Sequence, residues 1–321
     1  MTDKLVAITG SSGFLGSALC AHLLSESISV RPIVRQKTEV FSSGYAVGSI
    51  DSTTDWSGAL SGVGCVIHCA ARAHKLNDSS SDPLTEYRKT NYFGTLRLLE
   101  QCIEAGVKRF ILISSAKVNG ETTNHQDAFS SEDEAAPKDY YAISKHEAEC
   151  AALEIGRSSG IEIVIIRPPL IYGPNVKANF YNLIRLINTS LPLPLGNAFN
   201  KRSLISINNL VDVVSKCIDG AAAIGQTFMV SDGRDLSVAE LTRLISDAMG
   251  IRLCLIPIPI ALLRGIGLIL GKRQIVERLT SSMVLNIDRT KEQLNWHPPC
   301  SVEDGIKGTV EAYLKNSQAK R

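Results

Sequence analysis

Net charge is nearly absent from this chain. Its 321 residues carry 34 Lys and Arg against 32 Asp and Glu, which leaves a formal net charge of +2. A surface that attracts nucleic acid or a membrane by charge requires a larger excess of one sign. The sequence therefore predicts no nucleic-acid partner, and any anion that the protein binds must be held by local groups.

Closely spaced cysteines are also missing. The chain has eight scattered cysteines, mostly within apolar stretches: Cys20, Cys65, Cys69, Cys102, Cys150, Cys217, Cys254 and Cys300. Zinc and redox sites use thiol pairs at short spacing, so we expect no metal site and reduced core cysteines. The N-terminus runs into an apolar strand pattern without a signal-peptide cleavage region, which predicts a cytoplasmic location.

No apolar run is clean enough to predict a membrane span. Residues 253–271 are nearly apolar, but Pro257, Pro259 and Arg264 interrupt them. Each of these residues is costly in lipid. We predict a buried loop that leads into an amphipathic helix, and a peripheral membrane contact stays open as the alternative.

Strands and helices alternate through the first half of the chain. The patterns predict strands at 5–9, 30–34, 63–69, 109–114 and 161–167, and helices at 14–25, 87–105 and 140–158. Such alternation implies right-handed crossovers and a parallel sheet covered on both faces, a doubly wound α/β fold of the Rossmann type. The pattern loosens after residue 167. We therefore predict a dinucleotide-binding domain at 1–167 and a smaller C-terminal substrate-binding lobe at 168–321, with some segments returning to the sheet.

A glycine-rich turn joins the first predicted strand to the first helix. Gly10, Gly13 and Gly16 recur at every third position. Glycines there let the backbone approach a pyrophosphate, which then lies on the N–H groups of the helix N-terminus. An isolated triplet of this kind also fits a simple tight turn, but a strand before it and a helix after it favour a cofactor site. The neighbouring predicted contacts in this loop are Ser12, Phe14 and Leu15.

The second predicted strand does not end on an acidic residue. A carboxylate at that point would accept a hydrogen bond from the ribose 2′-hydroxyl of NAD. Instead the strand ends at Arg35, whose planar guanidinium can pair with a 2′-phosphate. This favours NADP(H) over NAD(H), with an exposed surface arginine as the alternative. Asp51 is placed to bond the adenine amino group, unless it is a surface loop residue.

Tyr141 and Lys145 stand one helical turn apart. A tyrosine hydroxyl with a pKa of about 10 is a poor base at neutral pH, and a nearby lysine lowers that pKa. Such a tyrosine exchanges a proton with a hydroxyl or carbonyl group. The alternative is an ordinary pair on a solvated helix face. Ser114 and Ser115 end the preceding strand, where a hydroxyl can hydrogen-bond the same reacting oxygen.

Several motifs together carry a resemblance to a known family. They are Gly10 to Gly16, His68-Cys69-Ala70-Ala71, Asn91-Tyr92-Phe93-Gly94-Thr95, Ser114 to Gly120, Tyr141 to Lys145, and Arg167 to Pro174. In this order they resemble the extended short-chain dehydrogenase/reductase family, in the nucleotide-sugar branch of the epimerase/dehydratase enzymes. That branch includes UDP-hexose 4-epimerases, 4,6-dehydratases and 4-keto reductases.

The resemblance implies roles for individual residues and a UDP-sugar substrate. Ser115, Tyr141 and Lys145 match the family's catalytic residues. The positions implied to line the cofactor are Cys69, Ala70, Ala71, Asn91, Ser114, Tyr141, Lys145 and Pro168. The positions implied to contact the nucleotide sugar are Ser115, Lys117, Asn119, Tyr141, Asn179 and Arg202. The resemblance also implies a homodimer packed through two long helices.

Departures from the family pattern reduce the number of reactions that the protein is expected to catalyse. Ala116 and Lys117 replace the Asp-Glu pair of the dehydratases, which disfavours the expulsion of water. Asn119 replaces a tyrosine that many epimerases carry. Residues 118–120, residues 202–204 and the segment of Pro257 and Pro259 resemble 4-keto reductases that act on UDP-4-keto-6-deoxy-N-acetylhexosamines in surface-polysaccharide synthesis. A reductase must also exchange its cofactor at each turnover, which suits a 2′-phosphate bound by Arg35. We therefore predict an NAD(P)H-dependent 4-keto reductase of this kind. A UDP-hexose 4-epimerase with bound NAD is the alternative, and an NADP-binding regulator without catalysis is a third reading.

Overall fold

A single parallel sheet forms the centre of the protein. The computed structural model describes residues 5–39, 42–72, 82–123, 127–269, 271 and 273–318. The strands are β1 (Leu5–Thr9), β2 (Val30–Val34), β3 (Tyr45–Ala46), β4 (Val63–His68), β5 (Arg109–Ile113), β6 (Glu162–Arg167), β7 (Leu170–Tyr172), β8 (Leu204–Ser206) and β9 (Thr227–Met229). Seven of them pair in the order β3-β2-β1-β4-β5-β6-β9, and β7 and β8 form a separate two-stranded parallel sheet.

Helices cover both faces of the large sheet and build a second lobe beside it. They are α1 (Phe14–Ser25), α2 (Ser57–Leu60), α3 (Pro83–Arg88), α4 (Gly94–Glu104), α5 (Tyr140–Ser159), α6 (Ala178–Ile187), α7 (Ile207–Asp219), α8 (Val238–Met249), α9 (Ile260–Ile269), α10 (Arg273–Thr280), α11 (Asp288–Leu294) and α12 (Val302–Gln318). The predicted doubly wound Rossmann-type α/β fold is confirmed.

The order of the strands creates a crevice at one edge of the sheet. The chain proceeds outward from β1 to β2 and β3, and then returns to the other side of β1 as β4. Because all these strands are parallel, their carboxyl ends lie at the same edge. Ligands of open α/β sheets bind in the crevice where the strand order reverses. The loops after β1 and β4 are therefore the expected walls of the site.

Apolar side chains fill both sides of the sheet. One buried cluster joins α1 and α7 to one face, with Leu19 and Leu210 fully buried, and the other joins α4 and α5 to the opposite face, with Leu98 and Ala148 fully buried. The strands read as continuous apolar runs, since both of their faces are covered. A third cluster, around Tyr172, forms the core of the C-terminal lobe.

Several predicted boundaries agree with the structure, and one long helix does not. The predictions 5–9, 14–25 and 30–34 coincide with β1, α1 and β2. The helix predicted at 87–105 is instead α3, a π-helical turn at Lys89–Phe93, and α4. The wider turn contains the buried Asn91, and such turns recur at functional sites.

The second half of the chain is shared between the two lobes. After residue 167, α7 packs beside α1 and β9 extends the large sheet, as the predicted returning segments require. A helix is present in residues 253–271 as α9, but it is not amphipathic as predicted, since Arg264 is its only polar residue and most of its large aliphatic side chains are exposed. The loop before it is not buried as predicted, since Ile256, Pro257 and Pro259 are exposed. Among the described residues, no helix is long and apolar enough to cross a membrane.

Candidate active site

The glycine loop after β1 is packed too tightly for larger residues. Gly10 has a φ of 69°, and a Cβ there would lie 2.9 Å from the backbone nitrogen of Ala70. A Cβ on Gly16 would collide with the backbone carbonyl of Gly10. The loop is also tied to β2, because Ser11 accepts a hydrogen bond from the Ile33 N–H at 3.1 Å. Glycine is therefore required by the loop itself.

The start of α1 presents backbone donors to the crevice. Gly13 is the N-cap, and within the described part of the chain no side chain caps the first turn of this helix. Ser12 and Gly13 are exposed, while the Leu15 side chain lies in the core. Unpaired N–H groups and the positive end of the helix dipole suit a pyrophosphate. The loop therefore fits the dinucleotide predicted from the sequence.

We expect Gly16→Ala to damage this loop. The added methyl group meets the Gly10 carbonyl, so the loop must shift, and the free energy of unfolding should fall by about 1–3 kcal/mol. Dinucleotide binding, measured by calorimetry, should weaken as well. Gly308→Ala in α12 is the matched control, since its Cβ meets nothing within 4 Å and removing a helical glycine gains about 0.5–1 kcal/mol. Equal behaviour of the two variants would contradict the packing argument.

A buried histidine connects β1, β4 and the π-helical turn. Thr95 donates its hydroxyl proton to the Asn91 carbonyl at 2.7 Å, so it accepts a hydrogen bond from His68 Nε2 at 3.1 Å. His68 Nδ1 then accepts from Thr9 Oγ1 at 2.7 Å, and Thr9 Oγ1 accepts from the Ala70 N–H at 3.2 Å. Burial lowers the pKa of His68 to about 3, so the ring is neutral. This network holds the loop of Cys69, Ala70 and Ala71 beside Gly10.

Asn91 positions the same loop from the other side. Its side-chain oxygen accepts a hydrogen bond from the Arg72 N–H at 2.8 Å, and its Nδ2 donates to the Arg72 carbonyl and to Ser144 Oγ. Ser144 lies between Tyr141 and Lys145 on α5 and donates to the Tyr141 carbonyl at 2.8 Å. The structure thus gives the Asn91 amide a bracing role between the cofactor loop and the catalytic helix.

The end of β5 turns sharply and places Ser115 at the crevice. The Ala116 N–H donates to the Pro168 carbonyl at 2.9 Å, which joins this turn to the end of β6. Ser115 caps the 3-10 turn Ala116–Val118, since its Oγ accepts a hydrogen bond from the Lys117 N–H at 3.3 Å. The neighbouring Ser114 Oγ is buried and has no partner among the described residues. A buried hydroxyl without a partner fits a bound ligand.

Lys117 fastens the Ser115 turn to the start of α5. Its Nζ lies 2.6 Å from Asp139 Oδ2, and Asp139 Oδ1 accepts the Ala142 N–H at 2.7 Å as the N-cap of the helix. Lys117 therefore links the turn that carries Ser115 to the first turn of α5, which carries Tyr141. The nucleotide-sugar contact predicted for Lys117 stays a prediction, and the structure shows its ammonium paired with Asp139.

Lys145 is buried and Tyr141 is partly buried. Burial, assisted by Asp139, Tyr87 and Glu149, raises the pKa of Tyr141 to about 12. Burial lowers the pKa of Lys145 to about 8, against the opposing effect of Glu149. In the protein alone the pKa of Tyr141 therefore lies above its ordinary value and not below it as predicted, and withdrawal from water is the largest cause. A further cation beside the hydroxyl would lower this pKa.

Asn119 belongs to a buried ion-pair network. Its Oδ1 accepts a hydrogen bond from Arg167 Nη1 at 2.7 Å, and its Nδ2 donates to the Ser130 carbonyl at 2.7 Å. Arg167 in turn forms a two-pronged pair with Glu149, with Nη2 2.5 Å from Oε2. The substrate contact predicted for Asn119 stays a prediction, and in the structure both ends of its amide are engaged within the protein. The network braces β6 against α5, one turn beyond Lys145.

The buried ammonium of Lys145 should cost stability at neutral pH. The unfolded lysine has a pKa of 10.5 and the folded one about 8. Between pH 8 and pH 10.5 the unfolded state therefore binds more protons than the folded state. The contribution of Lys145 to the free energy of unfolding of the wild type rises with pH through this range. Each unit of pKa corresponds to about 1.4 kcal/mol, so Lys145→Met should stabilise the fold by on the order of 3 kcal/mol at pH 7.

Urea unfolding of both proteins at pH 7 and pH 10 measures this effect. The advantage of Lys145→Met should shrink at the higher pH, where the native lysine is neutral. Lys307→Met, at an exposed position of α12, serves as the control and should change stability by less than about 0.5 kcal/mol. A Lys145→Met protein less stable than wild type at pH 7 would contradict this prediction. It would show that other groups in the fold offset the cost of burying the ammonium.

The remaining predicted residues are exposed or partly exposed. Arg35 is exposed directly after β2, and Asp51 accepts two hydrogen bonds from Thr53. Asn179 is exposed in the first turn of α6, which no side chain caps among the described residues. Arg202 is half-buried, and its Nη1 donates to the Ser281 carbonyl at 3.2 Å. Sequence reasoning missed Asp139, Glu149 and His68, whose partners are distant in the chain.

These features together fit a dinucleotide. The crevice offers an uncapped helix N-terminus, a backbone packed so closely that glycines are required, and the buried hydroxyl of Ser114 without a partner in the described residues. The catalytic candidates Ser115, Tyr141 and Lys145 come from the ends of elements that meet at the same edge of the sheet. The arrangement can place a proton-carrying tyrosine beside a hydride-carrying cofactor.

Comparison with known proteins agrees with this site. A model of the NAD dependent epimerase/dehydratase family matches residues 6–230. The UDP-glucose 4-epimerase of Vibrio cholerae is 44% identical over 318 residues, covering 97% of this chain and 96% of that protein.

Solved structures confirm the fold. The UDP-glucuronic acid 4-epimerase of Bacillus cereus, solved in complex with NAD, superposes with a TM-score of 0.78 at 20% identity, covering 97% of this chain and 99% of that one. The UDP-glucose 4-epimerase of Thermotoga maritima, solved with UDP-glucose, gives 0.77 at 21% identity, with 98% and 99% covered. The chain is thus a nucleotide-sugar enzyme with a Rossmann fold, and it belongs to the NAD-dependent epimerase/dehydratase family.

Proposed function

We propose that the protein is a UDP-hexose 4-epimerase that retains NAD through the reaction. The observation that carries the proposal is the 44% identity to the UDP-glucose 4-epimerase of Vibrio cholerae over nearly the whole of both chains. The 4-keto reductase favoured by the sequence reasoning has no comparable support. Its argument depended on Asn119 and Arg35, and Asn119 is engaged in the buried network described above.

The chain's own residues would move the proton at the sugar. Bound NAD would supply a hydride acceptor and a positively charged ring within the crevice. Tyr141 would remove the proton from the 4-hydroxyl and return it to the same oxygen, while Ser115 hydrogen-bonds that oxygen. Lys145 would hold the nicotinamide ribose and contribute a charge to the phenolate. The raised pKa of Tyr141 makes the added cation necessary, and this couples proton removal to the presence of the oxidised cofactor.

Cofactor choice belongs to the same proposal. The NADP preference predicted from Arg35 is not supported, since the matching family is described as NAD dependent and Arg35 is an exposed residue after β2. We propose NAD, with Asp51 near the adenine. Arg35→Ala should leave the ratio of NAD to NADP affinity unchanged in calorimetric titrations. A selective loss of NADP binding would show that Arg35 binds the 2′-phosphate. It would also favour the reductase hypothesis over the epimerase.

The diphosphate of the substrate needs donors in the second lobe. Asn179 stands in the uncapped first turn of α6, where backbone N–H groups and the helix dipole also point outward. Arg202 lies on the segment that pairs with Leu236 and leads into β8. We propose that these residues bind the UDP diphosphate, through charge-assisted hydrogen bonds from Arg202.

One experiment separates epimerase from reductase. The purified protein is incubated with UDP-glucose, UDP-galactose and their N-acetyl forms without added cofactor, and the sugars are identified by NMR. An epimerase converts at least one of them to its C4 epimer. In parallel, a UDP-4-keto-6-deoxy-N-acetylhexosamine is added with NADPH or NADH, and the near-ultraviolet absorbance is followed. Cofactor oxidation here, without epimerisation in the first assay, would replace the epimerase by the reductase.

A further inference from the structure

Helix α9 presents large aliphatic side chains to solvent. Leu262, Leu268 and Ile269 expose 55%, 64% and 84% of their surface. Ile266 and the preceding Ile256 are exposed as well, and Gly267 alone among the α9 residues is buried. An exposed apolar patch of this kind marks a surface that binds something. We call residues 256–269 the α9 surface.

Charge of one sign accompanies the α9 surface. From residue 248 to residue 276 the sequence contains no Asp or Glu, and its charged residues are Arg252, Arg264, Lys272 and Arg273. The whole chain has a net charge of only +2, so this excess is local. Arg252 and Arg264 are exposed, and Arg264 lies on α9 with the exposed aliphatic side chains. Positive charge together with exposed aliphatic side chains complements a surface that is both anionic and apolar.

Backbone hydrogen bonds attach the α9 surface firmly to the second lobe. The Leu193 N–H donates to the Cys254 carbonyl at 2.9 Å, and the Ile256 N–H donates to the Leu193 carbonyl at 2.8 Å. The Gly196 N–H donates to the Ile256 carbonyl at 3.0 Å, and a Cβ on Gly196 would lie 2.9 Å from Pro257. The apolar residues are therefore displayed from a fixed platform.

We propose that the α9 surface docks onto an anionic lipid bilayer. Ten helical residues extend about 15 Å, too short to cross a bilayer but enough to lie in its interface with the aliphatic side chains inserted.

Two other occupants fit the α9 surface less well. A two-fold contact with a second copy would place one Arg264 surface against another, because such an interface pairs the same patch with itself. Like charges opposed in this way weaken association. A protein partner would be expected to meet aromatic anchors, and residues 248–276 contain no Phe, Tyr or Trp. A bilayer needs only aliphatic side chains and positive charge.

Vesicle flotation of the full chain tests the proposal without any variant. Vesicles of phosphatidylcholine with phosphatidylglycerol should carry the protein upward, and vesicles of phosphatidylcholine alone should carry much less. Raising the salt concentration should release the bound fraction, since screening weakens the attraction to anionic lipid. Failure to float with the anionic vesicles at low salt would overturn the proposal, as would equal flotation with both kinds of vesicle.

Variants then locate the contact. Leu268→Glu should lower the vesicle partition coefficient by about tenfold, because it removes an inserted side chain and adds a charge of the wrong sign. Arg264→Gln should lower it about fivefold, from about 1 kcal/mol per basic residue near the surface. Leu24→Glu is the matched control, since Leu24 on α1 is 58% exposed and lies outside the α9 surface. All three variants should retain wild-type turnover of nucleotide sugar in solution.

Two results would contradict this location. A fall in vesicle binding caused equally by Leu24→Glu would show that any added negative charge suffices. Light scattering that finds an oligomer in wild type and a monomer in Leu268→Glu, with vesicle binding unchanged, would assign the α9 surface to a second copy of the chain.

Discussion

Tyr141→Phe should lower kcat by about 10²–10⁴-fold, the range that a positioned acid-base group contributes. The substitution removes only the hydroxyl oxygen that exchanges a proton with the sugar. The ring remains, with its edge contact to Tyr87 at a centroid distance of 6.3 Å, so the packing of α5 changes little. Dinucleotide affinity and the melting temperature should therefore stay near the wild-type values. Steady-state kinetics measures kcat, and calorimetry measures the affinity and the melting temperature.

Tyr140→Phe is the matched control for this loss. Tyr140 is the adjacent residue on the same helix, and half of its surface is exposed. It should keep wild-type turnover. Turnover of Tyr141→Phe within a few-fold of wild type would remove Tyr141 from the chemistry and leave the proton transfer without a donor on α5. A comparable loss in Tyr140→Phe would instead point to disturbance of the helix start.

Glu149→Gln should lower the free energy of unfolding by about 3–5 kcal/mol, as removal of one member of a buried ion pair does. The carboxylate accepts three hydrogen bonds from Arg167, and both side chains are almost fully buried. The amide turns an NH₂ group toward the guanidinium and leaves the Arg167 charge uncompensated. Asn119 still accepts one bond but carries no charge to replace it.

Glu147→Gln tests whether burial causes the effect. Glu147 lies on the same helix α5 as Glu149 and pairs with Arg88 of α3. Both of these side chains are partly exposed, and such pairs contribute about 0–1 kcal/mol. Urea unfolding of the two variants gives the comparison. Equal destabilisation would mean that the charge of α5, and not the buried network, is responsible.

Glu149→Gln should also change the pH dependence of turnover. The Glu149 carboxylate raises the pKa of Lys145 against the larger lowering by burial. Without that carboxylate the lysine loses its proton at lower pH, so the alkaline fall in turnover should move to lower pH. An unmoved or raised alkaline limb would contradict this electrostatic link between the buried network and the catalytic lysine.

Local patterns were sufficient for the first two strands and the first helix of the fold. β1, α1 and β2 agree with their predictions residue by residue, because apolar runs and glycine positions define a strand, a tight turn and a helix within short windows. The glycine loop could be interpreted chemically from the sequence for the same reason. Its requirements are set by neighbours such as Ala70, which the family motif had already placed beside the cofactor.

Partners that are distant in the chain were not predicted from the sequence. No local pattern indicated that Lys117 pairs with Asp139 or that Asn119 accepts a hydrogen bond from Arg167. The helix predicted at 87–105 is interrupted where Asn91 bonds the backbone of Arg72. A sequence window contains no information about which side chain will approach from another element, and polar side chains satisfy whichever partner burial brings to them.

The fold class and the glycine loop could be predicted from periodicity and turn geometry, and the family resemblance supplied the candidate trio Ser115, Tyr141 and Lys145. The protonation behaviour of Tyr141 and Lys145 and the exposure of α9 emerged from the folded arrangement alone. The pKa of Tyr141 depends on how much water its neighbours exclude, and an aliphatic helix is a core element or a docking surface according to what packs against it. Both are properties of packing between elements remote in the chain.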